Sequence, residues 1–302
     1  MSHPFDWSAG YPSTRLPVFG RNVVSTSHPL AAQAGLRMLQ AGGNAVDAAV
    51  AAAAAMTILE PCSNGLGSDA FCILWDGTRL QGLNASGPAP DAWTPAYFTG
   101  RHGRDALQPP KRGWDSVTVP GAVGAWVALS ERYGKLAFAE LLVPAIEFAE
   151  RGYAVPIVIQ QKWVAAAPLL RDQPGWADAF LPWGRPPQVG ERFAFPAAAR
   201  ALRAIAHSRG GALYGGEIAQ ALAAHARAHG GAMTVADLAR FRPEWVDCIG
   251  IDYAGHRLHE IPPNGQGIAA LMALGMLRHF DLDSLPVDGP ECQHLQIEAM
   301  KL

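Results

Sequence analysis

Ser27 to Pro61 reads SHPLAAQAGLRMLQAGGNAVDAAVAAAAAMTILEP, and its spacing predicts two helices of different kinds. Pro29 sits where the first turn of a helix tolerates it. Ala32, Leu36 and Leu39 then share one face, while Gln33, Arg37 and Gln40 share another, so this helix is expected to be half buried. Gly42 and Gly43 end it, Asn44 can cap the next one, and Asp47 stands three residues on, the spacing of a capping box. From Ala48 to Ala55 every side chain is Ala or Val. A helix with no wet face belongs in the centre of a fold. The segment Ala45 to Leu59 falls short of the ~20 consecutive apolar residues a bilayer needs, and Asp47 and Thr57 interrupt it, so a buried helix in a soluble core fits better than a membrane span.

Upstream, Val23 to Ser27 is β-branched and hydroxyl-rich and reads as a short strand. Downstream, after the glycine-containing Ser63 to Phe71, Cys72 to Trp75 and Leu80 to Asn84 read as strands joined by a turn at Asp76-Gly77. From about Ala89 to Arg240 the pattern is mostly helical, with Pro120, Pro156 and Pro196 near starts and Gly134, Gly152 and Gly210 near ends. Thr234 to Asp237 repeats the capping-box spacing. Strand character returns at Val246 to Tyr253 and Arg257 to Ile261, with a turn at Ala254-Gly255, and helices begin near Gly267 and Pro290. Three segments result: αβ layers over 1–88, a mostly helical region over 89–243, and a hairpin with helices over 244–302. No repeat or low-complexity linker divides them. Leu295 and Ala299 lie at helical spacing with no stop signal before Leu302, so the chain is expected to be cut inside a helix.

The bulk numbers narrow the function. A length of 302 residues with 49% hydrophobic composition is enough for a substantial core. With 24 Lys+Arg against 26 Asp+Glu and no basic stripe, nucleic acid is not an expected partner. Cys62, Cys72, Cys248 and Cys292 form no CxxC pair and read as free thiols of a reducing compartment. The opening MSHPFDWSAGYPSTR has Asp6 and two prolines where a secretion signal needs a basic end and an apolar stretch, so a cytoplasmic location is expected. His225 and His229 stand four apart on a helix, a spacing that can chelate a metal. Ala226 occupies the place of the Glu in the zinc helix H-E-x-x-H, and His229 precedes Gly230 as a helix C-terminal residue does. His256 and His259 are placed on opposite faces of a strand. All four read as solvated or capping histidines, and neither metal nor cofactor is expected.

The opening stretch, Val117 to Trp126 (VTVPGAVGAW), Ile261 to Gly267 (IPPNGQG) and Gln296 to Leu302 (QIEAMKL) together resemble, in that order, segments of the γ-glutamyltransferase family. The resemblance implies a four-layer αββα sandwich of the N-terminal-nucleophile hydrolase type, present here only as the large-subunit part. It implies a precursor that cuts itself in two, and amide hydrolysis or acyl transfer by a small-subunit Thr whose own α-amine serves as base. That Thr is expected beyond this chain, so no catalytic residue is named within it. The implied partners are the missing half and a small-molecule amide. Gly42, Gly43 and Asn44 read as a helix stop and cap, Val119-Pro120-Gly121 as a helix entry, and Pro262 to Gly267 as a rigid turn. Ser68 and Asp69 replace two glycines of the family's pattern, either as a local packing change or as a subgroup-specific site.

One departure bears on substrate. Where the family resembles Leu-Asp-x-Arg-Glu-x-Ala-Pro, with the Arg pairing a substrate α-carboxylate, this chain reads Leu83-Asn84-Ala85-Ser86-Gly87-Pro88-Ala89-Pro90. A hydroxyl cannot grip a carboxylate bidentately, and losing such a partner in a desolvated site costs roughly 2–5 kcal/mol. Asn84 and Ser86 are thus expected to form a wall of an acyl pocket in an acylase-like member of the family. The rival expectation is a non-catalytic, truncated product acting only as a structural or binding partner.

Overall fold

The computed structural model of the chain describes residues 19–103 and 110–302. The reading of Met1 to Arg15 as carrying no secretion signal lies outside them. The architecture is α+β, and the chain divides into two compact units. One comprises the chain up to Leu66 with Ala89–Thr118 and Trp126–Arg240, and the other comprises Gly67–Pro88, Val119–Ala125 and Phe241–Leu302. No helix among the described residues is long and apolar enough to cross a membrane.

The first unit is built around α1 (Pro29–Gln40) and α2 (Ala45–Leu59). Asn44 Oδ1 accepts from the N–H groups of Val46 (3.0 Å) and Asp47 (3.1 Å), and Asp47 Oδ2 accepts from the Asn44 N–H at 2.9 Å. The capping box is therefore complete. Twelve of the fifteen residues of α2 are buried, as a helix of Ala and Val requires when it packs against both α1 and Phe138–Arg151. Asp47 is fully buried and also accepts from the Lys135 N–H at 3.1 Å. Phe138–Arg151 packs in turn on Pro196–Ser208. Trp163, Phe180, Phe193 and Phe195 form a ring cluster in the same unit.

Two expectations about α1 change. Its buried face is Ala31, Ala34, Gly35 and Met38, while Leu36 is 40% exposed. The side chains facing α2 are small because the helices approach closely: a Cβ on Gly35 would sit 2.9 Å from the Ala48 carbonyl oxygen. Val23 to Ser27, expected as a strand, joins no sheet. Val24 instead packs onto Gly35, and His28 caps α1, its Nδ1 accepting from the Leu30 N–H at 3.2 Å.

The helical middle follows its Pro and Gly punctuation. Helices begin at Ala122, Ile157 and Pro196 and end at Tyr133, Arg151 and Ser208, each end within two residues of Gly134, Gly152 or Gly210. Thr234 and Asp237 form their capping box, with Thr234 Oγ1 accepting from the Asp237 N–H at 3.2 Å and Asp237 Oδ2 from the Thr234 N–H at 2.9 Å. A two-residue ladder of Tyr153–Ala154 with Arg192–Phe193 was not legible in the sequence.

In the second unit β1 (Ala70–Trp75) and β2 (Leu80–Ala85) form an antiparallel hairpin, in register from Ala70↔Ala85 to Trp75↔Leu80. Asp76 Oδ1 holds the turn by accepting from the N–H groups of Thr78 and Arg79, both at 2.9 Å. Val246 to Tyr253, expected as one strand, is broken at Asp247-Cys248. Glu244–Val246 adds to β2, whereas Ile249–Tyr253 pairs with His256–Glu260 in a separate hairpin. Continuous β-character does not encode which partner each half takes. Gly267–Leu277 packs on Pro290–Lys301 around Ala273, Leu277 and Ala299, with Leu295 against them, so the expected Leu295/Ala299 face is the packed one.

Candidate functional site

The end of β2 delivers Asn84 and Ser86 to one place, and the turn Pro262 to Gly267 brings Asn264 to the same place. The Ser86 N–H donates to Asn84 Oδ1 at 3.0 Å, Asn84 Nδ2 donates to Asn264 Oδ1 at 2.9 Å, and Asn264 Nδ2 donates to Ser86 Oγ at 2.7 Å. The three residues close a ring, to which Ser86 contributes both its backbone N–H and its hydroxyl. All are uncharged. Asn84 and Ser86 are half-buried, while Asn264 is exposed. Sequence reasoning singled out Asn84 and Ser86 and treated Asn264 as part of a turn; no local pattern links positions about 180 residues apart.

The backbone around the ring is held by close crossings. Gly87 has φ +76, and a Cβ there would overlap the Val119 carbonyl oxygen; a Cβ on Gly121 would overlap that of Ala85. The Val119 N–H donates to the Pro88 carbonyl at 3.0 Å, and the N–H groups of Gly121 and Ala122 donate to the Ser68 carbonyl at 3.0 and 2.9 Å. Val119-Pro120-Gly121 is therefore more than the entry to Ala122–Tyr133. It clamps the loop that carries Ser86, and Ser68 takes part through its backbone.

Beside Asn264, a cleft of ≈ 370 Å³ is lined by Phe71, Cys72, Ile73, Glu260, Ile261 and Gly265 to Gly267. Phe71 stands opposite Asn84 in the hairpin register. Burial, with Cys248 adding to it, pushes the Cys72 thiol above its ordinary value. It is a protonated thiol at neutral pH and a weak nucleophile.

The histidines make other contacts. His225 Nδ1 accepts from the Trp114 indole N–H at 3.1 Å, and its ring lies 4.3 Å from that of His229, which caps Glu217–Ala228. His256 and His259 both fall on the strand His256–Glu260. No group of three or more His, Cys, Asp or Glu among the described residues could hold a metal ion. One cluster escaped the sequence reading: the buried Asp115 accepts from Tyr97 Oη at 2.8 Å, meets His102 Nε2 at 2.8 Å and pairs with Arg101 at 3.0 Å. Tyr97, Arg101 and His102 sit on the helix Pro95–His102 and Asp115 on the 3-10 turn Trp114–Ser116, so the cluster ties that turn to the helix.

The chain belongs to the Gamma-glutamyltranspeptidase family, whose model matches residues 31–302. It is 35% identical to the Glutathione hydrolase-like YwrD proenzyme of Bacillus subtilis over 93% of this chain and 53% of that protein. It is 36% identical to the Acylase ACY 1 proenzyme of a Pseudomonas species over 97% of this chain and 54% of that protein. Among solved structures, the cephalosporin acylase of Bacillus halodurans matches with a TM-score of 0.86 and 46% identity, covering 96% of this chain and 56% of that one. The γ-glutamyltranspeptidase of Helicobacter pylori matches with a TM-score of 0.88 and 26% identity, covering 95% of this chain and 83% of that one. The chain spans about half the length of the curated relatives it matches, and it corresponds to the family's large-subunit portion.

Proposed function

We propose that this chain supplies the large-subunit part of an N-terminal-nucleophile acylase, with Asn84, Ser86 and Asn264 forming one wall of the acyl pocket. The carrying observation is the uncharged ring at the position where the family's motif places an Arg. An acyl group without an α-carboxylate loses nothing there, while a γ-glutamyl group loses a charged partner. The nucleophile is a Thr of the missing half, activated by its own α-amine after self-cleavage. In this reading, 1–88 and 244–302 contribute layers of the αββα sandwich and 89–243 forms the helical region. Phe71, Ile73 and Trp75 on the exposed face of β1, with Met272, Ile297 and Met300, support an apolar surface that the other half covers. The four free thiols support a reducing, cytoplasmic setting.

The test uses this chain completed by the small-subunit half of a relative, after self-cleavage. The expected result is a kcat/KM for butyryl anilide at least equal to that for γ-glutamyl anilide. A strong preference for γ-glutamyl anilide would overturn the reading, because another group must then hold the carboxylate. The chain by itself is expected to turn over no member of a γ-glutamyl and acyl anilide panel. Activity that survives rigorous repurification would place the chemistry within these 302 residues.

A further inference from the structure

The ring of Asn84, Ser86 and Asn264 has a direction, and one backbone group sets it. The Ser86 N–H can only donate, so the Asn84 atom facing it at 3.0 Å is Oδ1. The other end of that amide, Nδ2, can then only donate, so Asn264 presents Oδ1 to it at 2.9 Å. Asn264 Nδ2 is left to face Ser86 Oγ at 2.7 Å, and the hydroxyl must act as acceptor within the ring. Among the described residues no protein acceptor takes the hydroxyl hydrogen in return. The hydrogen is therefore turned away from the Asn264 amide, and the cleft that includes Gly265 lies next to Asn264 in the chain.

We infer that Asn264 is a positioning residue that makes Ser86 a fixed hydrogen-bond donor, and that the pocket selects acyl chains bearing an uncharged acceptor, such as a keto or amide oxygen, at the branch point where a γ-glutamyl group carries its α-carbon. The inference rests on the reading of Ser86 as a wall of the acyl pocket. A hydroxyl free to rotate would serve donors and acceptors alike. Accepting from Asn264 occupies one lone pair and turns the hydrogen away from that amide, so the hydroxyl offers its hydrogen to an acceptor, and a neutral oxygen satisfies it without the counter-charge that a carboxylate requires.

The probe is a matched pair, 4-oxopentanoyl anilide and 4-methylpentanoyl anilide, compared by kcat/KM in the mature enzyme described above. The unaltered enzyme is expected to favour the oxo member about three- to tenfold, the worth of one net hydrogen bond. Asn264→Asp still accepts from Asn84, but its second oxygen captures the Ser86 hydroxyl hydrogen, so the ratio falls to about one or inverts. Asn84→Asp reverses the ring from the other side: Asn264 turns to donate to the new carboxylate, its Oδ1 faces Ser86, and the same loss follows. Ser86→Ala also brings the ratio to about one. These variants are nearly isosteric and act at different corners, so failure of one to mature leaves the others to decide. An unaltered enzyme that favours butyryl over γ-glutamyl anilide but ignores the oxo group overturns this inference and leaves the acylase reading standing. A ratio that survives both Asp substitutions but not Ser86→Ala shows that Asn264 does not set the donor, and also overturns it. Preference for γ-glutamyl anilide removes the underlying reading itself.

Discussion

Asp47→Ala is expected to destabilise the chain by about 3–5 kcal/mol, a large part of the 5–15 kcal/mol typical of a domain. The Asp47 carboxylate is fully buried. It accepts from the backbone N–H groups of Asn44 at 2.9 Å and Lys135 at 3.1 Å, with Leu136 at a longer 3.5 Å. Asn44 Nδ2 donates to the Tyr133 carbonyl at 2.6 Å across the same junction. One carboxylate thus joins the start of α2 to the segment that leaves the helix Ala122–Tyr133. Gly43 and Gly134 leave room for it, since a Cβ at either would come within 3.0 Å of an Asp47 carboxylate oxygen. Removing it leaves the N–H groups of Asn44, Lys135 and Leu136 without their carboxylate acceptor at once, whereas Asp47→Asn keeps one carbonyl acceptor and should cost less. Urea unfolding followed by far-UV circular dichroism measures both. A midpoint for Asp47→Ala within about 1 kcal/mol of the parent would mean that water replaces the carboxylate and that the junction is not a dry one.

That junction was half legible in the sequence. Asn44 and Asp47 are three apart and follow a double glycine, which announces a helix start without any knowledge of the fold. Lys135 lies 88 residues from Asp47, and nothing local to it signals that its N–H is needed. The same division recurs elsewhere. The all-Ala/Val run over Ala48 to Ala55 declared a central helix, but the face α1 turns toward it was read from the large Leu36 and Leu39, when close approach selects Ala34 and Gly35. Val246 to Tyr253 announced β-structure without revealing that its two halves serve different sheets. At the candidate site the departure at Ser86 stood out, because a hydroxyl in place of a guanidinium changes the chemistry at once. Its partner Asn264 did not, because Pro-Pro-Asn-Gly explains itself fully as a turn.

Restoring the family's Arg-acid pair at Ser86 and Gly87 is expected to fail for a backbone reason. Ser86→Arg by itself places a guanidinium on a half-buried position and should raise kcat/KM for γ-glutamyl over butyryl anilide about ten- to a hundredfold. Gly87 is a different matter. Its φ of +76 lies in the left-handed region, where an L side chain costs about 1–2 kcal/mol, and a Cβ would overlap the Val119 carbonyl oxygen, which overpacks the crossing by about 1–3 kcal/mol more. Val119 cannot easily retreat, because its N–H donates to the Pro88 carbonyl and the neighbouring Gly121 and Ala122 are tied to Ser68. Gly87→Ala should therefore destabilise the chain by about 2–5 kcal/mol, and Ser86→Arg combined with Gly87→Glu should bind γ-glutamyl substrates worse than Ser86→Arg alone. The left-handed turn at Gly87 and its crossing with Val119 therefore restrict which side chain can stand next to Ser86. Urea midpoints for Gly87→Ala and the matched anilide ratio for the single and double variants check this. A double variant that is as stable as the parent and prefers γ-glutamyl anilide more strongly than Ser86→Arg does would show that the Val119 crossing yields readily and that Ser86 alone sets the specificity.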